Sequence, residues 1–352
     1  GGPKGCILSN GYFLEAGRWY AGAGGLCALE DGERMLTPLP LFHMNALAFS
    51  VMATIAVGGT LTVLDRFHPR SWWQSVRQAQ ATAVHYLGVM PAMLMNAPPG
   101  PQDTDHGVRF GFGANVEPQL HVPFEARFGF PLIEAWAMTE TGAGACIAAN
   151  HPPRRVGEKA FGRPGPELEV RLEGGGDGPG ELLVRRAGAD PRFGFFSGYH
   201  KDEAATEAAW AGGWFHTGDI VRRDGEDLIF VDRKKNVIRR SGENIAAVEV
   251  EAVLLSHPAV RAAGVAAVSD PLRGEEVCAC LVADRQDAAF AEELVAWALG
   301  EMAYYKTPGY VVFVDALPVT ATQKVQRPQL KAMAAAHLDA AYDTRALKTR
   351  RK

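Results

Sequence analysis

The first residues of the chain have the composition of a phosphate-binding loop. The chain opens Gly1-Gly2-Pro3-Lys4-Gly5, where glycines would let backbone N–H groups approach phosphate oxygens and the lysine would add a positive charge. The same residues are also ordinary turn chemistry. Taken alone, the segment does not decide between a phosphate loop and a simple turn.

Four further side chains of reactive type lie far apart in the sequence: His43, Glu140, Asp219 and Lys324. Each also has a plain structural interpretation. The histidine closes an apolar strand, the glutamate follows Thr139 at a possible helix start, the aspartate sits in a turn, and the lysine lies in a Thr-rich loop. Residue type alone favours these structural interpretations, so the case for chemistry depends on the surrounding motifs.

The elements that would position these residues can be predicted from apolar periodicity. Residues 36–136 alternate short apolar runs with amphipathic stretches, which predicts a βαβα order and a largely parallel sheet. Residues 167–186 predict two strands around a glycine-rich turn. From residue 227 onward, strands and helices alternate in a smaller α+β unit. The Ala-rich segment after Lys331 predicts a frayed basic tail.

Composition excludes several function classes. Hydrophobic residues make up 47% and charged residues 22% of the 352 residues, as in ordinary globular proteins. The net charge of −4 gives no indication of nucleic-acid binding, which favours a positively charged protein surface. The sequence contains no apolar run long enough to predict a transmembrane segment. Five scattered cysteines without zinc spacing indicate reduced thiols and a cytoplasmic protein, with Cys278 and Cys280 in a strand core.

Seven segments occur together in an order that resembles the adenylate-forming superfamily of acyl-CoA synthetases, luciferases and nonribosomal-peptide adenylation domains. The segments are GGPKG (1–5), LPLFHMNAL (39–47), FGFGANVEP (110–118), EAWAMTETG (134–142), GWFHTGD (213–219), VDRKKNVIRRSGENIAAVEVE (231–251) and LPVTATQKVQR (317–327). The resemblance covers essentially the whole chain.

The resemblance implies an α/β fold in three parts. Residues 1–160 would form the nucleotide- and acyl-binding portion of a larger α/β domain with a parallel-rich sheet. Residues 161–234 would form a small β-barrel-like subdomain that completes it, and residues 235–352 a mobile α+β C-terminal domain. The family's N-terminal portion and the Ser/Thr-rich half of its phosphate loop are missing. The resemblance therefore implies a chain truncated at its N-terminus.

The resemblance also implies a reaction: an acid attacks the α-phosphorus of ATP, and the acyl group then passes to coenzyme A. Fixed cations and Mg²⁺ would stabilise the charge that gathers on the phosphoryl oxygens. By resemblance, Lys324 contacts the carboxylate and the α-phosphate, His43 borders them, Thr139 donates to a phosphate oxygen, and Glu140 binds the Mg²⁺.

The same family pattern implies a nucleotide site and a moving domain. ATP or AMP would be bound by Lys4, Gly113, Ala114, Asn115, Trp136, Asp219 and Arg233. Trp136 replaces the family's tyrosine at the adenine, and Asp219 would accept both ribose hydroxyls. Lys235 would be the hinge of the C-terminal domain. Movement there would exchange Lys324 for a CoA-facing loop of Gly242, Glu243 and Asn244.

Alternatives remain open at this stage. The chain could load a carrier protein, although no LGGxS-type segment follows, or it could be a non-enzymatic nucleotide binder. Gln323 replaces the usual glycine before the catalytic lysine, which would change that loop. The acid could be a fatty, aryl or carnitine-like acid, because residues around Phe42–Asn45, Gly111–Gly113 and Ala137–Met138 are small or apolar. The sequence contains no signal for the oligomeric state.

Overall fold

A computed structural model describes residues 4–174, 178–241, 243–319 and 325–348, leaving aside the side chains of Lys235 and Asn244. The chain divides into two compact units. One contains the residues up to Thr217 together with Val221–Phe230. The other contains Gly218–Ile220 together with the residues from Val231 onward. The exact boundaries of the three predicted regions remain predictions.

The first unit contains two main sheets and a short two-stranded pairing, although residues 218–220 and 231–233 of its last two strands are assigned to the second unit. Its strands run in chain order to β13: β1 (Cys6–Ile7), β2 (Arg34–Thr37), β3 (Thr60–Val63), β4 (Ala83–His85), β5 (Phe110–Gly113), β6 (Leu132–Trp136), β7 (Ile147–Ala148), β8 (Ala160–Gly162), β9 (Leu168–Glu173), β10 (Gly180–Arg186), β11 (Gly198–Tyr199), β12 (Phe215–Asp224) and β13 (Asp227–Arg233). Its helices are α1 (Asn10–Gly22), α2 (Met52–Ala56), α3 (Trp72–Ala79), α4 (Val89–Met95), α5 (Pro118–Phe128) and α6 (Glu203–Ala209).

The larger sheet has the strand order β3-β2-β4-β5-β6-β7, in which all strands except β7 run parallel. Successive residues of each strand enter different cores. Met35 and Ala83 pack in one cluster, whereas Leu36 and Val84 pack in the cluster on the other face. Burial on both faces is the reason why these strands read as apolar runs in the sequence. The predicted βαβα order and parallel-rich sheet are confirmed.

The second sheet has the order β8-β13-β12-β10-β9 and accounts for the predicted β-rich subdomain. Strands β9 and β10 pair antiparallel, with Glu181 opposite Glu173, as the sequence predicted, while residues 175–177 of the glycine-rich segment between them lie outside the described residues. Its core is built from aromatic and aliphatic side chains, among them Phe161, Leu182 and Phe215. The parallel-rich sheet and this second sheet together confirm the predicted α/β fold class of the larger domain.

The second unit is a separate α+β structure. Its further strands are β14 (Val237–Arg240), β15 (Glu243–Ala246), β16 (Val260–Asp270), β17 (Gly274–Ala283), β18 (Tyr310–Phe313) and β19 (Tyr342–Asp343), and its helices are α7 (Ala247–Leu255), α8 (Ala288–Glu301) and α9 (Arg327–Ala336). The strand order is β15-β14-β17-β18-β19, with β16 on β17. Cys278 and Cys280 are fully buried on β17, as predicted.

The prediction of a frayed tail after Lys331 is wrong. Helix α9 continues to Ala336, β19 pairs with β18, and the Lys348 ammonium is buried 2.6 Å from Glu276 Oε1. Glu276 also accepts from Arg240 Nε at 2.8 Å. A buried carboxylate needs cationic partners, and this requirement holds the C-terminal segment as far as Lys348, the last described residue. Within the described ranges, no helix combines the length and apolar composition that a membrane crossing requires.

Candidate functional site

Several candidate residues meet at the carboxyl edge of the parallel sheet. Gly113 ends β5, Trp136 ends the neighbouring β6, and His85 ends β4. The connection that follows β2 contains His43. Ligands of open α/β sheets bind outside the carboxyl ends of the strands. The sheet thus places residues from distant sequence positions along one edge.

The loop after β5 is fixed by a buried carboxylate that the sequence analysis missed. Glu134 accepts from the backbone N–H groups of Asn115 and Val116, each at 3.0 Å, and from the Tyr86 hydroxyl at 3.0 Å. Burial raises the pKa of Glu134. Asn115 adopts φ +66°, a left-handed conformation that asparagine tolerates better than most residues. The predicted adenine loop is therefore rigidly held by β6.

Glycine is required at position 113 by a close backbone approach. A Cβ atom built there would lie 2.3 Å from the Tyr86 carbonyl oxygen and 2.8 Å from the Tyr86 ring. At Gly111 the corresponding atom would lie 2.7 Å from the Leu132 side chain. Packing against the neighbouring strands thus accounts for both glycines without reference to a ligand.

Trp136 lies in the core of the first unit. It is 7% exposed and stacks on Phe161, with ring centroids 5.9 Å apart and an interplanar angle of 29°. This packing is that of a core tryptophan at the end of a strand. Its predicted role at adenine remains a prediction.

Thr139 and Glu140 are held by two tyrosines. The Tyr12 hydroxyl of α1 donates to the Thr139 carbonyl at 3.0 Å, and the Tyr199 hydroxyl of β11 donates to Glu140 Oε1 at 3.0 Å. The Glu140 carbonyl accepts from Phe196 N–H at 2.9 Å. Thr139 is exposed and Glu140 half-buried. Hydrogen bonds therefore hold the backbone carbonyls of both residues and the side chain of Glu140.

Lys4 lies beside the same tyrosine. Its ammonium is 4.6 Å from the centroid of the Tyr199 ring, within cation–π range. Strand β1 pairs with β11, so that Cys6 is opposite Tyr199, and His200 N–H donates to the Gly5 carbonyl at 2.7 Å. The described end of the predicted phosphate loop is thus joined to Glu140 through Tyr199.

His43 is exposed and precedes an unusual helix. Its Nδ1 accepts from the Asn45 N–H at 3.2 Å, so in the neutral ring the proton lies on Nε2. Residues Asn45–Val51 form a π-helical segment that continues into α2. Such segments occur frequently at functional sites.

The π-helical segment is anchored by a buried histidine. His85 Nδ1 lies 2.5 Å from Asn45 Oδ1 and 2.9 Å from Ser50 Oγ, and its Nε2 lies 3.2 Å from the Tyr20 hydroxyl. Burial lowers the pKa of His85 to about 3. The ring is therefore neutral, and it fixes both ends of the irregular turn after His43.

Asp219 of β12 and Arg233 of β13 form an ion pair, and both residues lie in the stretches of these strands that belong to the second unit. Arg233 Nε lies 2.7 Å from Asp219 Oδ1, the aspartate side chain is 1% exposed, and that of the arginine is 43% exposed. The arginine compensates the charge of the nearly buried carboxylate. The two residues predicted to share the ribose are thus direct neighbours.

The other predictions for the second unit are only partly covered by the structure. Lys324 and Gly242 lie outside the described residues, as do the side chains of Lys235 and Asn244. Glu243 is exposed at the start of β15, which pairs with β14 in a hairpin. The roles of these residues as catalytic lysine, hinge and CoA-facing loop remain predictions.

Four positioning residues escaped the sequence analysis: Tyr12, Tyr86, Glu134 and Tyr199. Glu134 opens the EAWAMTETG segment, so its place in that segment was an available signal. Tyr199 follows Gly198 before a capped helix, but nothing local connects it to Glu140. Each of the four makes a hydrogen bond to a residue far away in the sequence, and patterns in a single sequence do not encode such contacts.

Comparisons with known proteins identify the family and the fold. The profile of the AMP-binding enzyme family matches residues 1–200, and that of the AMP-binding enzyme C-terminal domain matches residues 249–324. Crotonobetaine/carnitine–CoA ligases of Citrobacter koseri and Salmonella arizonae are each 31% identical over 337 residues. The alignments cover 94% of this chain and 64% of the relatives' length. The chain thus spans less than two thirds of these curated relatives.

Solved structures show the same fold. O-succinylbenzoate CoA synthetase from Bacillus subtilis, in complex with its acyl-adenylate intermediate, is similar with a TM-score of 0.79 and 28% identity, covering 94% of this chain and 66% of that one. The same enzyme with ATP and magnesium gives a TM-score of 0.76, at 27% identity and with coverage of 93% and 67%. An amide bond synthetase from Marinactinospora thermotolerans gives 0.72 at 28% identity, covering 94% and 68%. By its fold and its family profile, the chain belongs to the AMP-binding enzymes.

Proposed function

We propose that the chain is the greater part of an ATP-dependent acyl-CoA synthetase, a carboxylate–CoA ligase that releases AMP and pyrophosphate. The observation that carries the proposal is the group formed by Lys4, Tyr199 and Glu140. In this group a cation lies near a carboxylate that follows the carboxyl end of β6, and open α/β folds bind ligands beyond the carboxyl ends of their strands. The named CoA ligases and the acyl-adenylate complex among the relatives support the same reaction.

In the first step, a carboxylate oxygen of the acid attacks the α-phosphorus of ATP, a bond to that phosphorus forms, and pyrophosphate leaves. Lys4 would contribute positive charge to the phosphates, and Lys324 would reach the carboxylate and the α-phosphate. Glu140 fits a Mg²⁺ ion because its Oε2 has no hydrogen-bond partner among the described residues, while Oε1 is held by Tyr199. The ion would neutralise phosphate charge.

In the second step, the thiolate of coenzyme A attacks the acyl carbonyl carbon, and AMP leaves with the oxygen that came from the acid. His43 would border the acyl carboxylate, and Asp219 with Arg233 would bind the ribose. The segment containing Gly242, Glu243 and Asn244 would face coenzyme A after a movement at Lys235. Gly113, Ala114, Asn115 and Trp136 would surround the adenine.

The acid is proposed only as a class. Small and apolar residues near the site suit a fatty, aryl or carnitine-like acid, and the names of the first relatives favour the carnitine-like class. All five cysteines are free, which supports a cytoplasmic location. The small-molecule partners would be the acid, ATP and coenzyme A.

Product analysis tests the proposal. The protein is incubated with ATP, Mg²⁺ and a panel of acids, with and without coenzyme A. The same assay is run separately on any longer natural form that covers the rest of the relatives' length. AMP and thioester that both require an acid and coenzyme A support the ligase. An acyl-adenylate that forms but passes only to a carrier protein, and not to coenzyme A, would instead indicate a carrier-protein-loading adenylation domain. If no nucleotide turns over with any acid, the chain would be a nucleotide-binding protein.

A further inference from the structure

Tyr199 makes two contacts that no other described residue makes together. Its hydroxyl donates to Glu140 Oε1 at 3.0 Å, and its ring face lies 4.6 Å from the Lys4 ammonium. Pairing of β1 with β11 fixes the register, because Cys6 lies opposite Tyr199 and Ile7 opposite Gly198. The tyrosine is therefore set by backbone hydrogen bonds beside both charged groups.

The hydroxyl is the donor in its contact with the carboxylate. An ionised carboxylate can only accept a hydrogen bond, so the Tyr199 phenol supplies the proton of this 3.0 Å contact with Glu140 Oε1. One carboxylate oxygen is thereby fixed and the other is left for a ligand. Such hydrogen bonds to a ligating carboxylate orient it and tune metal affinity.

The ring also separates two opposite charges. Lys4 lies against its face and Glu140 at its hydroxyl end, and within the described part of the chain no ion pair joins Lys4 to Glu140. Without a spacer, a flexible lysine near a carboxylate would tend to form a surface ion pair. Such a pair would neutralise both groups before a metal–nucleotide complex arrived.

We infer that Tyr199 is a positioning residue that orients Glu140 toward a divalent cation and keeps the Lys4 ammonium available for phosphate. The inference rests on the proposed function, in which Glu140 meets the cation of a metal–nucleotide complex. It goes beyond that function by giving a role to Tyr199, which contacts both Lys4 and Glu140. Tyr199 itself would touch neither the reacting carbon nor the phosphorus.

The experiment measures binding of Mn²⁺ with ATP by water-proton relaxation, and binding of AMP without metal by calorimetry. Tyr199→Phe keeps the ring beneath Lys4 and removes only the hydroxyl. Tyr342→Phe is the matched control, since its hydroxyl donates to Gln286 O at 3.1 Å in the second unit. We expect Tyr199→Phe to weaken Mn²⁺ binding about 10-fold or more, with AMP binding unchanged. Tyr342→Phe should match the wild type in both.

Glu140→Gln separates the possible failures. If it weakens Mn²⁺ binding while Tyr199→Phe does not, the inference is overturned and the proposed role of Glu140 stands. If both variants bind Mn²⁺ like the wild type, or if the wild type binds no Mn²⁺ with ATP, the role of Glu140 and the inference fall together. If Tyr199→Phe loses AMP and Mn²⁺ binding equally, the tyrosine is a general structural residue, and its positioning role is refuted.

Discussion

His85 predicts a specific sensitivity of the first unit to acid. Its ring is fully buried against Ser50, Asn45 and Tyr20, and burial lowers its pKa from 6.5 to about 3. Between these two pKa values the unfolded chain binds a proton that the folded chain does not. The contribution of the neutral His85 to the free energy of unfolding is therefore fully present above pH 6.5 and is lost as the pH falls toward 3. The full difference corresponds to roughly 4–5 kcal/mol, of which about 2 kcal/mol is lost by about pH 5.

Urea unfolding at about pH 7.5 and about pH 5 measures this loss. His85→Gln is the reference, because it keeps a polar side chain at the site but cannot titrate. All other titrating groups are shared, so they cancel in the difference between the two proteins. We expect the wild type to lose about 2 kcal/mol more than the variant on acidification. Equal acid sensitivity of the two proteins would refute the assignment of a buried, neutral His85.

Three further predictions concern single positions. Gly113→Ala should destabilise the fold by about 1–3 kcal/mol in urea unfolding and weaken AMP binding, since its Cβ would lie 2.3 Å from the Tyr86 carbonyl; an unchanged variant would disprove the close approach. Glu134→Gln should cost about 1–3 kcal/mol, because an –NH2 group in place of Oε2 cannot accept from the Asn115 N–H; calorimetric melting checks this, and no loss would contradict it. Burial lowers the pKa of Lys348 from 10.5 to about 8, so between these values only the unfolded chain keeps the proton, and the wild type should gain stability over Lys348→Met as the pH rises. A constant difference from about pH 8 to about pH 10 would argue against this burial.

The fold could be predicted from the sequence to the extent that local patterns determine it. The parallel strands are buried on both faces, so they appear as apolar runs, and the glycine-rich turn marks the β9–β10 hairpin. The tail could not be predicted. Its order depends on Lys348 reaching Glu276 across 72 positions of sequence, and its Ala-rich composition gave no sign of that contact.

The candidate site could likewise be predicted only in part from the sequence. The motifs led to Glu140, Asp219 and Arg233, and the last two are direct neighbours in the structure. The π-helical turn after His43 could not be predicted, because it depends on the buried ring of His85. Tyr199 was also missed, since its importance comes from strand pairing with β1 and contact with a distant glutamate.

The central claim is that the acid itself attacks the α-phosphorus of ATP. Turnover with an acid labelled with heavy oxygen in its carboxylate tests this most directly, with the released AMP analysed by mass spectrometry. If the claim holds, one labelled oxygen is transferred from the acid to the phosphate of AMP for each thioester formed. Unlabelled AMP, or ADP as the nucleotide product, would contradict it.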